Sequence, residues 1–460
     1  MRFLSSLAIL IVLLVSGCSE HFPNQPLGNL PPETFLALRP DSTLRRTASQ
    51  QDIHWWGEDP DGFVAGYYFS FDSTHWTFTT ANDSLFGLKL NTTDTTYSFF
   101  VKAVDNEGAE DPTPASLRYP IMNTPPTVSF VLKSDVPDTT YPVASFQWVG
   151  LDIDGDETIT SFWYALDDTS NPNNWKSVPG YARSVTFYKA DGLVEGDHTF
   201  YLRARDVAGA WSKTIQMPDT VKRTWHVREP KGAFLIIDDY QPADAAAGYY
   251  ATMFDTLTVN GRHLGSQDVW DIKKGASPTK RGDLVPALIN PTFIETLKLF
   301  KYVFWYADNN PSLEIAQASL GAFTRAGGKV LFSSSFPELS SGQGGVGDFA
   351  PIDNTEPSYF TTILMSGDTL QAVDPIYPTL VRDANPTIYL FPRGLLPKVN
   401  ARVIYQMQSS SRWSGQPVMG VQDGDSPSFV LMAVLLHRFG PPASAAEFFR
   451  TVFGKEFGAQ

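Results

Sequence analysis

The sequence predicts a multidomain chain in which two all-β sandwiches are followed by an α/β doubly wound domain. Three observations support this prediction: a repeat with an offset of 93 residues, strands of alternating polarity within each repeat, and apolar strands that alternate with a helix beyond residue 230. The predicted divisions are an apolar leader at 1–17, a tether at 18–33, two sandwiches at 34–122 and 123–229, and the α/β domain at 230–460.

The leader has the pattern of a secretory signal. Arg2 precedes an apolar run over 4–15, which is too short to span a bilayer. The run ends in Val-Ser-Gly before Cys18, and this block resembles the lipobox of bacterial lipoproteins. The resemblance implies a lipoprotein signal peptide at 1–17, cleavage after Gly17, and acyl chains on Cys18 that anchor the protein to a membrane. The alternative is an ordinary signal peptide followed by a chance cysteine.

Cys18 is the single cysteine of the sequence. A disulfide within the chain is therefore excluded, and the folded part has no cysteine nucleophile. The stretch that follows is rich in Pro, Asn and Gly, which is typical of an extended tether. By resemblance to lipoprotein sorting in Gram-negative bacteria, Ser19 after the cysteine favours the outer membrane.

The charge balance limits the partners. The formal net charge is −14, and nucleic-acid binding is disfavoured because phosphate contacts need clustered Lys and Arg. The expected partners are a membrane, through the lipid anchor, and an envelope protein or a glycan.

The repeat is carried by matching residues in a fixed order. Trp55–Gly62 returns as Trp148–Gly155, with Trp, Gly, Asp, Asp and Gly in the same places. An aromatic strand follows in each copy, and each copy closes with a strand and an Asp-x-x-Gly turn. Strands of period two can bury one face, so each copy is predicted to be one sandwich. The pattern resembles the immunoglobulin-like or fibronectin type III-like modules of bacterial surface proteins, which implies binding loops or spacers.

The Asp-rich turns raise the question of a metal. Asp152, Asp154 and Asp156 alternate at one turn, and alternating carboxylates can converge on Ca²⁺. The favoured interpretation is an Asp/Gly β-turn whose side chains bond to their own backbone, since a full twelve-residue calcium loop is missing. No cofactor is therefore predicted, with Ca²⁺ left open.

The pattern changes after residue 230. Apolar strands are predicted at 233–237, 302–306 and 329–332, with a helix that begins at Pro311 and ends at Gly327. Further elements are predicted as strands at 401–405, 418–421 and 429–435 and a helix at 443–453. This order is similar to the flavodoxin-like domains of the class I glutamine amidotransferase-like superfamily. The similarity implies a parallel sheet with ligands bound beyond the carboxyl ends of its strands.

The predicted strands end in polar residues, which we name the strand-end cluster: Asp238, Asp239, Tyr240, Asp308, Asn309 and Ser333. A crevice lined by these residues would bind a polar ligand. The alternative is solvated loop ends, with Asp308 and Asn309 capping the next helix.

Catalysis is tested against the same segments. An amidotransferase needs a cysteine after its strand, and none is present. A serine hydrolase would use Ser334 with His437, but Gly-x-Ser-x-Gly is absent. A glycan hydrolase would use Asp238 with Asp308. The function expected is therefore a non-enzymatic cell-envelope lipoprotein that displays a ligand- or partner-binding domain on sandwich spacers. The alternative is an envelope hydrolase that acts on a glycan, ester or amide.

Overall fold

A computed structural model describes most of the chain beyond residue 27. The described residues are 28–37, 50–88, 94–131, 136, 138–219, 224–259, 261–264, 266–273, 291–336, 345–356, 363–383, 390–440 and 442–459. The predicted signal peptide and the predicted lipidation site Cys18 lie outside them. Within the described residues, no helix has both the length and the apolar character needed to cross a membrane.

The chain divides into two compact units. Unit 1 combines Met1–Pro125 with Asp152–Thr158 and Asp206–Ala210. Unit 2 combines Pro126–Leu151, Ile159–Arg205 and Trp211–Gln460. The second repeat therefore contributes to both units, and most of it belongs with the C-terminal part of the chain.

The first repeat forms a sandwich of two antiparallel sheets. One sheet has the strand order β1-β2-β5, and the other has the order β4-β3-β6-β7. Its strands are β1 (Glu33–Ala37), β2 (Gln50–Glu58), β3 (Val64–Ser70), β4 (Thr77–Thr79), β5 (Asp83–Gly87), β6 (Asp94–Asp105) and β7 (Ala115–Met122).

The alternation seen in the sequence is what packs this sandwich. Ile53 and Trp55 of β2 are buried, as are Phe99, Val101 and Ala103 of β6. Successive side chains of a strand point to opposite faces, so these alternate residues form the face that turns inward. They belong to one apolar core, which closes the two sheets on each other.

The second repeat has the same strand order. Its two sandwich sheets are β13-β10-β8 and β12-β11-β15-β16, and a small sheet β14-β17-β9 is added. The two repeats are thus β-sandwich modules of immunoglobulin-like or fibronectin type III-like kind. The strands are β8 (Thr127–Phe130), β9 (Thr139–Thr140), β10 (Val143–Leu151), β11 (Ile159–Leu166), β12 (Lys176–Pro179), β13 (Ser184–Tyr188), β14 (Gly196–His198), β15 (Phe200–Asp206), β16 (Ile215–Met217) and β17 (Trp225–Val227).

The C-terminal part contains fourteen strands among its described residues. They are β18 (Phe234–Asp239), β19 (Thr258–Val259), β20 (Arg262–His263), β21 (Gln267–Asp271), β22 (Tyr302–Ala307), β23 (Lys329–Ser333), β24 (Ile352–Thr355), β25 (Thr369–Ala372), β26 (Leu380–Arg382), β27 (Leu395–Pro397), β28 (Arg402–Met407), β29 (Val418–Gln422), β30 (Phe429–Met432) and β31 (Phe439–Gly440). The helices described there are α1 (Ala246–Thr256), α2 (Pro291–Leu297), α3 (Leu313–Arg325) and α4 (Pro442–Arg450), the last continued as a π-helix over Thr451–Glu456.

Ten of these strands form one sheet. Its order is β21-β18-β22-β23-β30-β29-β28-β25-β26-β31. The first five strands pair in parallel, and the remaining pairings are antiparallel. Every residue of β18 and β22 is buried, as the continuous apolar runs predict.

Helix α3 lies near its predicted position. Its inner face is apolar and has the spacing of a helix, because Ala316, Leu320 and Phe323 are buried. The chain leaves the helix at Gly327, whose φ of +94° is a left-handed conformation that glycine adopts without strain. The helix begins at Leu313, two residues later than the proline suggested.

The second sandwich packs against the C-terminal part within unit 2. Tyr141, which lies between β9 and β10, is 1% exposed and belongs to the core formed by the ten-stranded sheet. Its ring meets Phe300 at 5.1 Å and Trp270 at 6.4 Å between centroids, edge to face. In addition, Thr292 of α2 accepts a 2.9 Å hydrogen bond from the Ser145 amide. The second sandwich and the sheet therefore share buried apolar surface.

Candidate functional site

The parallel register brings the strand-end cluster together. Asp238 pairs with Tyr306 and Asp239 with Ala307, one strand across. Tyr306 in turn pairs with Ser333 of β23. Because parallel strands end at the same edge of a sheet, residues from three separate segments converge there, as the sequence predicted.

Asp239 lies at the centre of this edge and is fully buried. Its carboxylate accepts hydrogen bonds from the Ser312 amide (2.6 Å), the Ser312 hydroxyl (2.7 Å) and the Trp305 indole (3.2 Å). Burial raises the pKa of Asp239, while the bonds from Ser312 and the nearby charge of Lys273 act in the opposite direction. Asp239 thus holds Ser312, the residue that precedes α3, in place.

Asp308 and Asp238 also accept hydrogen bonds from nearby backbone amides. The two oxygens of Asp308 accept from the Gln241 amide (2.9 Å) and the Asn310 amide (2.7 Å). Asp238 accepts from the Tyr240 amide at 3.1 Å. The pKa of Tyr306 is raised first by burial and then by its hydrogen bond to Asp238. These carboxylates hold the loops that leave the strands.

Lys273 is the residue that the sequence analysis missed. Its Nζ lies 3.4 Å from Asp239 and 3.8 Å from Asp308, and it also donates to the Asn310 carbonyl. The side chain is 15% exposed. It follows β21, a short strand in which three of the five residues are polar, so no apolar run marked this segment in the sequence.

The serines at the end of β23 are committed to backbone acceptors. Ser333 donates to the Val434 carbonyl and Ser334 to the Asp308 carbonyl, both at 2.7 Å. Ser334 is completely buried, whereas Asn309 is exposed. A serine nucleophile must reach solvent and a base, and Ser334 offers its proton to a carbonyl instead.

His437 lies in a second buried group beside Tyr240. Its Nε2 is 3.4 Å from the Tyr240 hydroxyl, and its Nδ1 is 3.4 Å from the Tyr250 hydroxyl. Asp244 accepts from Tyr240 at 2.7 Å and from Arg438 at 2.5 Å. Burial lowers the pKa of His437 to about 4, although Asp244 opposes that shift. His437 is therefore neutral at pH 7 and packs as a core side chain.

This depressed pKa predicts an acid-dependent loss of stability. The unfolded histidine binds a proton near pH 6.5, whereas the folded one stays neutral to about pH 4. The contribution of neutral His437 to the free energy of unfolding is therefore fully present above pH 6.5. It is lost as the pH falls toward 4, and the loss amounts to about 3 kcal/mol. Urea unfolding of wild type and His437→Gln between pH 7.5 and 4 measures it. The stability gap between the two proteins should narrow in acid, and a constant gap would contradict the assignment.

Among the described residues, one group of three side chains lies close enough together to hold a metal ion. Ligand atoms of Asp52, His54 and Asp83 lie within 4.8 Å of one another on the outer face of the first sandwich. His54 is 3.1 Å from Asp52 and 3.8 Å from Asp83, distances that an ion pair satisfies equally. A cavity of about 210 Å³ lies elsewhere, at the amino end of β30 beside Thr324 and Phe429, and it includes no member of the strand-end cluster.

Solved structures similar to this chain are β-sandwich modules. The fibronectin(III)-like modules of Clostridium thermocellum CbhA share 16% identity, with 43% of this chain and 94% of that chain covered and a TM-score of 0.18. A two-domain fibronectin type III segment of chicken tenascin shares 16%, with 40% and 96% covered and a TM-score of 0.24. The PKD1 domain of Vibrio anguillarum Epp shares 15%, with 20% and 96% covered and a TM-score of 0.16.

No family model and no curated protein matches the sequence. The similarities concern fold alone. The description of the two sandwiches therefore depends on their own strand order and cores.

Proposed function

We propose that this protein is a cell-envelope lipoprotein whose C-terminal domain binds a ligand or a partner without catalysing a reaction. The C-terminal domain is proposed to be flavodoxin-like. Numbered along the chain, its five parallel strands β18, β21, β22, β23 and β30 have the order 2-1-3-4-5. That order is the one known for flavodoxin-like sheets, whose ligands bind at the carboxyl ends of the strands.

The observation that carries the non-enzymatic proposal is the internal use of the acidic groups. Both oxygens of Asp239 and both oxygens of Asp308 accept hydrogen bonds that hold α3 and the neighbouring loops. A general acid or base needs an accessible atom to exchange a proton with a substrate. Ser334 is buried and bonded to a carbonyl, and His437 is 3% exposed. These assignments favour binding over hydrolysis.

The sandwiches are proposed to act as spacers that carry the binding domain. Because Tyr141 belongs to the core of the ten-stranded sheet, we propose that the second sandwich is packed rigidly against that sheet, whereas the sequence suggested a simple spacer. Envelope attachment is inferred from the lipobox at Cys18, with the outer membrane favoured by Ser19. The ligand class proposed is an envelope glycan or a protein surface.

Lipidation has a direct test. Cys18→Ser is expected to move the protein from the membrane fraction to the soluble fraction, because the acyl chains are the proposed anchor. The matched control is Ser19→Ala, which leaves the cysteine in place and should stay with the membrane. Mass spectrometry of the amino-terminal peptide should give acylated Cys18 as the first residue. An uncut leader on an unmodified wild-type protein would exclude the anchor.

A further inference from the structure

Three metal-ligating side chains lie together on the outer face of the first sandwich because of its strand register. Asp52 and His54 are two residues apart in β2, so they point to the same face, while Ile53 and Trp55 point into the core. Asp83 of β5 pairs directly with His54 across the antiparallel ladder. Opposed residues of such a ladder have Cβ atoms about 4.5–5.5 Å apart. The backbone pairing therefore brings one imidazole and two carboxylates to one place.

The ligand atoms of this group are close to one another and open to solvent. One atom from each of the three side chains lies within 4.8 Å of the other two. His54 Nε2 is 3.1 Å from Asp52, close to the separation of about 3.4 Å between two ligands of a tetrahedral ion. The side chains of Asp52 and Asp83 are 43% and 59% exposed, so a small rotation of either can close the set around one ring nitrogen.

The distances fit an ion pair as well as a metal site, so the balance of charge decides between the two. An imidazole carries at most one positive charge, and here two carboxylates face it. Among the described residues, neither Asp52 nor Asp83 has a Lys or Arg partner within ion-pair distance. The group therefore keeps negative charge whether or not His54 is protonated.

Hydrogen bonding leads to the same conclusion. The neutral form of an imidazole has one N–H donor and one lone pair. His54 turns Nε2 toward Asp52 at 3.1 Å and Nδ1 toward Asp83 at 3.8 Å, so in that form one lone pair faces a carboxylate oxygen. Within the described part of the chain, no other donor reaches either carboxylate. Facing acceptors of this kind attract a cation, and the carboxylate oxygens remain available to bind it.

We propose that Asp52, His54 and Asp83 form a zinc site. Zn²⁺ binds imidazole nitrogen and carboxylate oxygen at about 2.0–2.2 Å, and water can supply a fourth ligand. Ca²⁺ is a poorer match, because it takes about six to eight ligands and all of them are oxygen atoms. The ion joins β5, an edge strand of its sheet, to the central strand β2. The site lies in unit 1 and is independent of the function proposed for the C-terminal domain.

Zinc binding by the purified full-length protein in detergent tests the proposal. After EDTA treatment and dialysis, isothermal titration with ZnCl₂ at pH 7.5 should give a dissociation constant on the order of 10 µM, weaker than closed four-ligand sites. CaCl₂ at the same concentrations should give no binding. Zinc affinity should fall at pH 5.5, because protons compete for the ligands. A wild-type protein with no zinc site tighter than about 1 mM overturns the proposal.

The variants locate the ion. His54→Gln removes the nitrogen ligand and Asp83→Asn removes one carboxylate, and each should weaken Zn²⁺ binding at least about tenfold. The matched control is His75→Gln, because His75 pairs with Asp72 at 2.6 Å in the same sandwich but has no second carboxylate beside it. Near-ultraviolet circular dichroism checks that each variant is folded. Zinc affinity kept in folded His54→Gln or Asp83→Asn, or lost equally in His75→Gln, would contradict the assignment.

Discussion

Replacing Tyr141 with alanine is expected to lower the free energy of unfolding of unit 2 by about 3–5 kcal/mol. The ring is 1% exposed and sits between Phe300 and Trp270, in the core of the ten-stranded sheet. Truncation removes these contacts and leaves a cavity that a sheet and a sandwich cannot easily close. Urea unfolding followed by tryptophan fluorescence, with Trp270 as one reporter, measures the loss.

Tyr141→Phe is the matched control. It keeps the ring and removes the hydroxyl that accepts a 2.8 Å hydrogen bond from Arg228. The expected loss is about 1 kcal/mol, because a single hydrogen bond has been removed. Equal effects of the two substitutions would show that the hydroxyl and not the ring joins the second sandwich to the sheet. A loss below about 1 kcal/mol for alanine would refute the shared core.

Replacing Asp239 with alanine is expected to cost about 3–5 kcal/mol. The substitution leaves the Ser312 amide, the Ser312 hydroxyl and the Trp305 indole without their buried acceptor. Lys273 loses the nearer of its two counter-charges and keeps Asp308 at 3.8 Å. Buried donors that lose their acceptor keep the full cost of desolvation. Thermal and urea unfolding should both register the change, together with a loosened start of α3 in amide hydrogen exchange.

Asp239→Asn separates charge from shape. It keeps an acceptor oxygen of the same size and should lose less stability than alanine, because two of the donors can still be satisfied. An Asn variant as unstable as the Ala variant would mean that the carboxylate charge beside Lys273 dominates. An Ala variant as stable as wild type would remove the structural role assigned to Asp239.

The sandwich repeats could be predicted because their signal is local. A strand such as β6 alternates buried and partly exposed residues. The turn that follows it has Asp105 and Gly108, and the equivalent turn of the second repeat has Asp206 and Gly209. The parallel strands β18 and β22 were predictable for a similar reason, since strands buried on both faces are apolar throughout. Burial pattern and turn chemistry are both written in short stretches of sequence.

Other parts of the fold depend on distant partners. Strand β21 is short and half polar, and it is recognisable only beside β18. The contact of Tyr141 with Phe300 joins residues 159 positions apart, and no local pattern distinguishes an aromatic residue of a loop from one of an interface. The antiparallel half of the ten-stranded sheet likewise follows from pairing between strands that are brief and irregularly spaced.

The candidate site was predicted in position but not in role. Strand ends locate Asp238, Asp239 and Asp308, because a parallel sheet collects its carboxyl ends at one edge. Their tasks depend on Ser312 and Lys273, which come from other segments of the chain. For the acidic turn, the sequence supplied Asp152, Asp154 and Asp156, and their carboxylates accept hydrogen bonds from backbone amides and from the Thr158 hydroxyl.

The aromatic seam at Tyr141 also changes what the duplication means. Duplicated modules ordinarily fold independently, so one copy can be removed or moved without destabilising its neighbours. The second sandwich is not independent in this sense, because its removal would expose Trp270 and Phe300 of the C-terminal part to water. The second sandwich and the C-terminal sheet must therefore be inherited together. A recombination breakpoint between residues 229 and 230, the boundary predicted from sequence, would leave apolar surface exposed on both fragments, and both would be prone to aggregate.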